Sequence, residues 1–387
     1  MILRARASSI IVAALIVAGF AATARVAHAE KHHPVNVTLF YPIGTNQDPA
    51  VSTNFRLSLI YGRVASVKGI DIGGLVARVD GEMRGLQFAG LHSYTGGDLA
   101  GATVSAGINY VGGEARGVQM GFVNYDRRGF GGLQYGYAFN YVEGGVRGVQ
   151  VSSLFNLVNG DARFLQISGV ASAVGGNFRG VQVAAAVNHV NGAMTGLQLA
   201  GANMAADARG AQVGGLNMAG TMRGAQVGLV NLSRELDGVP VGMVNWTDGV
   251  QADWVTWGSN LAGVASGVRT IVNDWYSILS VGGVDVLDSV NETGFIGWHY
   301  GRRLRLPRGW SIGADLGYLH IIPPKSDDPN VNDEEHPAVQ GRFLAEWRYG
   351  KRFSVFAGGG ASAVWDAYDN DAGVRGEPLF FGGVSLF

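Results

Sequence analysis

The sequence predicts an all-β chain, an antiparallel transmembrane β-barrel of roughly 16–20 strands built largely from strand-turn repeats. Three observations point there: a composition rich in glycine and poor in charge, alternating faces in the last third, and a 14–16-residue repeat through the middle. A β-solenoid repeat array joined to a smaller C-terminal barrel is the alternative that the same repeat allows.

Glycine is 61 of 387 residues and charged residues are 15%, against ordinary values of about 7% and about 25%. Such a chain is neither a disordered polyelectrolyte nor a typical soluble enzyme. The formal net charge is −1, with 29 Lys+Arg against 30 Asp+Glu. Three of those arginines (Arg4, Arg6 and Arg25) lie in the first segment, so the remainder is mildly acidic and has no attraction for nucleic acid.

Residues 1–29 read as a cleavable secretory signal, with Arg4 and Arg6, an apolar run over 10–22, and small residues Ala27 and Ala29 around His28. No stretch approaches the ~18 apolar residues that a spanning helix requires. The chain has no cysteine, which excludes lipoprotein acylation, disulfides, thiol catalysis and cysteine metal sites. Membrane attachment therefore has to come from folded strands. The expected organisation is N-terminal strands over 30–84, a repeat region over 85–250, and C-terminal membrane hairpins over 251–387.

A strand whose faces meet different media alternates with period two. Trp310, Ile312, Ala314, Leu316, Tyr318 and Ile322 share one face, while Ser311, Gly313, Asp315 and Gly317 share the other. His320 is the polar exception on the apolar face. A second stretch sets Val339, Gly341, Phe343, Ala345, Trp347 and Tyr349 against Gln340, Arg342, Glu346 and Arg348. Bulky aromatics opposite charge suit a lipid-facing belt around a polar interior. Connections alternate too: 304–309 and 349–352 are short, 323–337 and 366–378 long, as in barrels with short turns inside and long loops outside.

The middle repeats RG-apolar-Q-apolar followed by Asn. Gln87, Gln119, Gln134, Gln150, Gln166, Gln182, Gln198, Gln212 and Gln226 occupy one slot, with Thr103 and Pro240 as substitutes. Asn109, Asn124, Asn140, Asn156, Asn188, Asn203, Asn217, Asn231 and Asn245 occupy the other, with Ser172 as substitute. Turn residues punctuate each unit, as in the stretches beginning at Glu143, Asn159, Asn191 and Ala206. In 16-residue copies Gln and Asn share a face, as Gln134 and Asn140 do, opposite Leu133, Tyr135, Tyr137, Phe139 and Tyr141. An antiparallel meander then sets Asn beside Gln across strands and makes Gln87, Gln134, Asn140, Gln150, Asn156, Gln182 and Asn188 lumen-facing, together with Gln340, Arg342, Glu346 and Arg348. Copies such as Gln212 to Asn217 reverse the face unless a bulge intervenes, and aromatics are almost absent from 179–245. A solenoid accounts for both.

The last strand, PLFFGGVSLF, ends on Phe387, and with it residues 292–387 resemble bacterial outer-membrane β-barrel proteins. That resemblance implies a bacterial outer-membrane location, contact with outer-membrane lipid, and recognition of Phe387 by the barrel-assembly machinery. Residues 85–246, with GAQVGGLN from Gly210 and GAQVGLVN from Gly224, resemble bacterial G-x-Q-x-G-x-x-N surface-repeat proteins, which implies an envelope location and no particular reaction. GATVSAGIN from Gly101 and GVPVGMVN from Gly238 depart from the pattern.

No reaction chemistry stands out. The glycine-rich turns lack a GK[ST] ending or a following helix, and no GxSxG elbow or HExxH spacing occurs. His32 and His33 lie near the expected mature terminus, while His92, His189 and His299 fit interface or lumen positions better than metal ligation. Asp327, Asp328, Asp333, Glu334 and Glu335, with Asn330 and Asn332, form an acidic stretch without EF-hand spacing. The expected role is therefore non-catalytic and without cofactor or metal: a structural barrel or a passive pore for small polar solutes, or else a surface-displayed repeat module for binding or adhesion.

Overall fold

The computed structural model describes residues 31–284, 293–322, 336–350, 352–366 and 373–387. The chain divides into two compact units, Met1–Asn177 and Phe178–Phe387. Both carry coils of a parallel β-solenoid, and the second also contains a closed antiparallel barrel.

The coil formed by the strands Gly145–Ser152 and Phe155–Val158 shows why the repeat folds this way. Val146, Gln150, Ser152, Asn156 and Val158 are buried, whereas Arg147 and Leu154 are exposed. The two strands are too short to fold back as a hairpin of a membrane barrel. They meet instead at a corner, 153–154, and a second corner at 159–161 begins the next coil. Stacking whole coils places like on like, with Gln134 paired to Gln150 and Gln150 to Gln166. Asn124 likewise lies beside Asn140, and Asn140 beside Asn156.

The antiparallel meander, with Asn beside Gln, is therefore replaced by parallel columns. A corner imposes no parity, so both repeat lengths keep their amides inside. Between neighbouring coils of the first unit the register shifts at Gly121/Val123, where the longer coil carries its additional residue. In the second unit Gln212 and Asn217 are both buried despite their odd separation. The corners absorb what a continuous strand would have needed a bulge to absorb.

The columns are hydrogen-bonded along their length. Gln134 donates through Nε2 to Gln119 Oε1, Gln150 to Gln134 and Gln166 to Gln150, at 2.7–2.8 Å. In the second unit Gln198, Gln212 and Gln226 each donate to the glutamine one coil earlier. Asparagine runs the other way: Asn109 donates to Asn124, Asn124 to Asn140, and Asn203 to Asn217, each toward the following coil. The second N–H of the Asn in every coil but the last meets a backbone carbonyl of the next coil, such as Val151 O from Asn140 at 2.8 Å, whereas Asn245 donates to Gly242 O of its own coil. Buried carbonyls at a corner need such partners, because the strand ladder is interrupted there.

Charge replaces amide at the first coils. Arg56, in register with Asp71, which pairs in turn with Gln87, is fully buried. Its guanidinium forks onto Asp71 at 2.6 and 2.5 Å, and Gln87 Nε2 donates to the same carboxylate at 2.9 Å. Asp126 stands in a buried slot that Val111, Val142 and Val158 fill in neighbouring coils.

The glycine of each RG pair adopts a left-handed φ, 125° at Gly85 and 124° at Gly117, and a Cβ on Gly85 would lie 2.0 Å from Gly69 O. That close approach explains the RG signature. Phe164 takes the equivalent place beside Gly148 with a φ of 93°.

The barrel closes over eight strands, from Gln251–Ser259 to Gly373–Leu386, whose mutual pairing seals the wall. The barrel is thus much smaller than expected, because the repeats do not join it. Its apolar belt faces outward, with Val281, Ile296, Leu316, Phe343 and Phe380 exposed. One rim carries the turns 273–274 and 306–309 and the strand ends Tyr349 and Phe353; the other carries the turn 260–261 and the strand ends Val284, Thr293, Ile322, His336, Asp366 and Gly373. The last strand begins at Gly373, inside the connection 366–378 that the sequence pattern predicts.

Candidate functional site: the barrel interior and the solenoid surface

Inward alternation brings charge from distant strands together. Arg269 lies 2.8 Å from Asp253 Oδ2 and 2.8 Å from Glu346 Oε1, with Ser385 Oγ at 3.3 Å. Ser354 bonds to both Glu346 and Ser385. Arg342 pairs with Asp315 at 2.7 Å, and Tyr276 Oη donates to the same carboxylate at 2.7 Å. His299 meets Gln340 at 3.3 Å. In a low-dielectric interior such charges persist only when paired and hydrogen-bonded.

Beside this network Trp257, Phe295, Leu319, Phe356, Leu379 and Phe381 form one buried apolar cluster, and Ser280, Arg303 and Ser362 are buried as well. Arg342 stacks on Trp257 and Phe381 at 5.5 and 5.0 Å. An eight-stranded wall is just wide enough for its own side chains to fill. A cavity of about 30 Å³ beside His299 and Gln340 has room for little more than water.

Of the residues expected in a lumen, Gln340, Arg342 and Glu346 face this interior and are buried. Arg348 shares their parity but is exposed at the short-turn rim, its guanidinium 4.0 Å over the Phe387 ring. Gln87, Gln134, Asn140, Gln150, Asn156, Gln182 and Asn188 lie inside the solenoid instead, fully buried. They line no passage, because each is consumed by packing within and between coils. Tyr135 and Tyr137, on the face opposite the amides, are exposed on the solenoid's outer surface. Asp253, Arg269 and Tyr276 were not among the expected site residues; Asp315 lies on the polar face that the sequence marks, and His299 takes an interior position, one of the two that the sequence allows it. The alternation that marks Arg342 and Glu346 also marks Asp253 and Arg269, between Ala252 and Trp254 and between Val268 and Thr270.

The solenoid's titratable interior is confined to the first unit. Burial pushes the Asp126 carboxyl up to about 8, while Nε2 donation from Gln119 and Gln134, at 2.8 and 2.7 Å, pulls it down. Burial lowers His92. Among the described residues, no three His, Cys, Asp or Glu side chains gather as a metal site. The acidic stretch from Asp327 to Glu335 and the signal over 1–29 lie outside the described residues.

The second unit joins coil to barrel. Ser277, on the outer wall of the strand Trp275–Val284, donates to Gly242 O and Met243 O, both at 2.9 Å, and accepts from Trp298 Nε1 at 2.8 Å. Asn273, in the turn at the short-turn rim, donates to Leu236 O at 2.5 Å. Around this junction the outer wall is aromatic: Trp275 stacks on Tyr300 at 5.5 Å, and Trp298 lies 6.3 Å from Tyr300.

No family model matches the chain, and no curated protein does. Among solved structures, the C-terminal barrel is similar to the N-terminal β-barrel domain of Pseudomonas aeruginosa OprF, at 15% identity and a TM-score of 0.26 over 35% of this chain and 95% of that one. It is also similar to Neisserial surface protein A (NspA), at 14% identity and a TM-score of 0.24 over 35% and 94%. Likenesses at these scores add nothing to the closed wall described above.

Proposed function

We propose that this chain is a bacterial outer-membrane protein in which the barrel is an anchor and the solenoid is a non-catalytic binding module. The filled barrel interior carries this reading, since paired charges and an apolar plug occupy the space that a passive pore for polar solutes would need. The outward belt and the aromatic residues Trp254, Trp275, Tyr300, Trp310, Trp347 and Tyr349 near the short-turn rim support membrane insertion. Phe387, at that same rim, is the proposed signal for the barrel-assembly machinery.

The side of the membrane follows from the rims. Short turns of outer-membrane barrels face the periplasm, and the solenoid attaches beside 273–274. This supports a periplasmic module rather than one displayed on the cell surface. In planar bilayers the purified protein is expected to insert without stable conductance steps; reproducible steps would overturn the anchor reading. Protease added to intact cells should leave the solenoid whole and cut it once the outer membrane is permeabilised. Cutting in intact cells reverses the orientation.

A further inference from the structure

The short-turn rim of the barrel is basic along one arc. Arg308, Arg348 and Arg352 are exposed there, and among the described residues none of the three meets a carboxylate side chain. Asp274, on the preceding turn of the same rim, is taken by Arg305 at 2.8 Å. The three arginines belong to one place. Gly309, next to Arg308, packs on the backbone of Arg348, where an added Cβ would lie 3.0 Å from the carbonyl oxygen. Arg352 stands at the foot of the strand Phe353–Asp366, which pairs with the strand that carries Arg348. Arg308 itself holds a left-handed φ of 63°, a conformation that glycine or asparagine adopts more readily. The turn therefore keeps a long cation at a position that its backbone alone does not favour.

On the membrane side of this arc the outer wall is first aromatic and then aliphatic. Trp310 pairs with Trp347, with ring centroids 6.4 Å apart, and Tyr349 lies 5.6 Å from Trp347. All three are exposed. The same two strands continue toward mid-barrel through the pairs Ile312 with Ala345 and Ala314 with Phe343, every one of them exposed on the outer wall. The two alanines leave a shallow step between Ile312 and Phe343. Cations above amphipathic rings above an unbroken apolar strip match a molecule that presents a negative head, an interfacial backbone and hydrocarbon chains in that order. A guanidinium fork suits the oxygens of a phosphodiester. A soluble anion would use the arginines alone and leave the strip without a role.

We propose that this arc and strip seat one anionic phospholipid, its phosphate held by Arg308, Arg348 and Arg352 and its chains lying over Ala345 and Ala314. The proposal rests on the anchor reading above. The absence of cysteine makes single labels simple: Phe343→Cys lies on the seat, and Val264→Cys lies exposed on the strand across the closed wall. Each full chain, labelled with a fluorophore, is reconstituted in vesicles that mix chain-brominated phosphatidylglycerol with phosphatidylcholine, and in the converse mixture. Quenching at Phe343→Cys is expected to show a several-fold preference for phosphatidylglycerol over phosphatidylcholine, with none at Val264→Cys. Arg308→Gln with Arg352→Gln should abolish that preference, and Arg308→Lys with Arg352→Lys should retain most of it, in barrels whose heat-dependent gel migration shows the same closed wall. Equal preference at both labels assigns the effect to general surface charge and overturns the seat, while quenching at both leaves the anchor intact. A preference at Phe343→Cys that survives the glutamine pair overturns the role of the arginines. Absence of quenching by either brominated lipid at both labels removes the anchor reading itself.

Discussion

The solenoid and the barrel both bury polar side chains, and they satisfy them by opposite means. In the coils a neutral amide bonds to the same amide one coil away, so a single solution is copied along the repeat. In the barrel a charge has a particular partner of opposite sign, as Arg269 has Asp253 on the neighbouring strand and Glu346 far along the chain. Repetition satisfies polarity by identity, whereas a closed wall of unlike strands satisfies it by pairing. Errors in the first should stay local, because a coil touches only its neighbours; errors in the second strand a charge inside a shared interior.

The largest effect that tests this contrast is Arg269→Met. It leaves Asp253 and Glu346 without their cation and should cost about 3–5 kcal/mol, read as a lowered urea midpoint of the reconstituted barrel. The first-coil pair belongs with the barrel in this respect: Asp71→Ala leaves Arg56 buried alone and should cost a similar amount in the solenoid. Gln150→Leu is next, removing the ladder bonds to Gln134 Oε1 and from Gln166 Nε2, at about 1–3 kcal/mol. Hydrogen exchange should show faster opening in adjoining coils and none in the barrel. Equal losses in both regions would erase the distinction.

Acidity sharpens the comparison further. The Asp126 carboxyl, pushed up to about 8 by burial from an ordinary 3.8, holds its proton more tightly in the folded chain. Its stability contribution is fully present below the ordinary value and is lost as pH rises toward 8, at up to about 1.4 kcal/mol per pH unit. Asp126→Asn should remove that slope from pH-dependent melts of the solenoid. The smallest effect expected is a gain. Phe164→Gly relieves a left-handed backbone at φ 93° and should add about 1 kcal/mol, visible as a higher melting temperature.

The barrel strands were legible in the alternation of Trp310 to Ile322 and of Val339 to Tyr349, because a lipid belt leaves period two in each strand separately. The repeat slots were equally legible, and the odd spacing from Gln212 to Asn217 already argued for corners. Topology was not, since a column of Gln on Gln and a ladder of Gln beside Asn demand the same residues at the same period. The interior network was half visible. Arg342 and Glu346 declare themselves within one strand, and Asp315, on the polar face of the preceding strand, faces Arg342 across a hairpin; Arg269 comes from a strand brought near Glu346 only when the barrel closes. Burial of Asp126 depends on a slot that other coils fill with valine, which no local pattern announces.

The two amide columns donate in contrary directions, Gln toward earlier coils and Asn toward later ones. Their aligned peptide-like moments therefore oppose each other, and lengthening the stack does not accumulate an electric field at either end. Coils can then be gained or lost in whole steps without an electrostatic limit on number, which leaves the reach of the module free to vary while its attachment to the barrel stays the same.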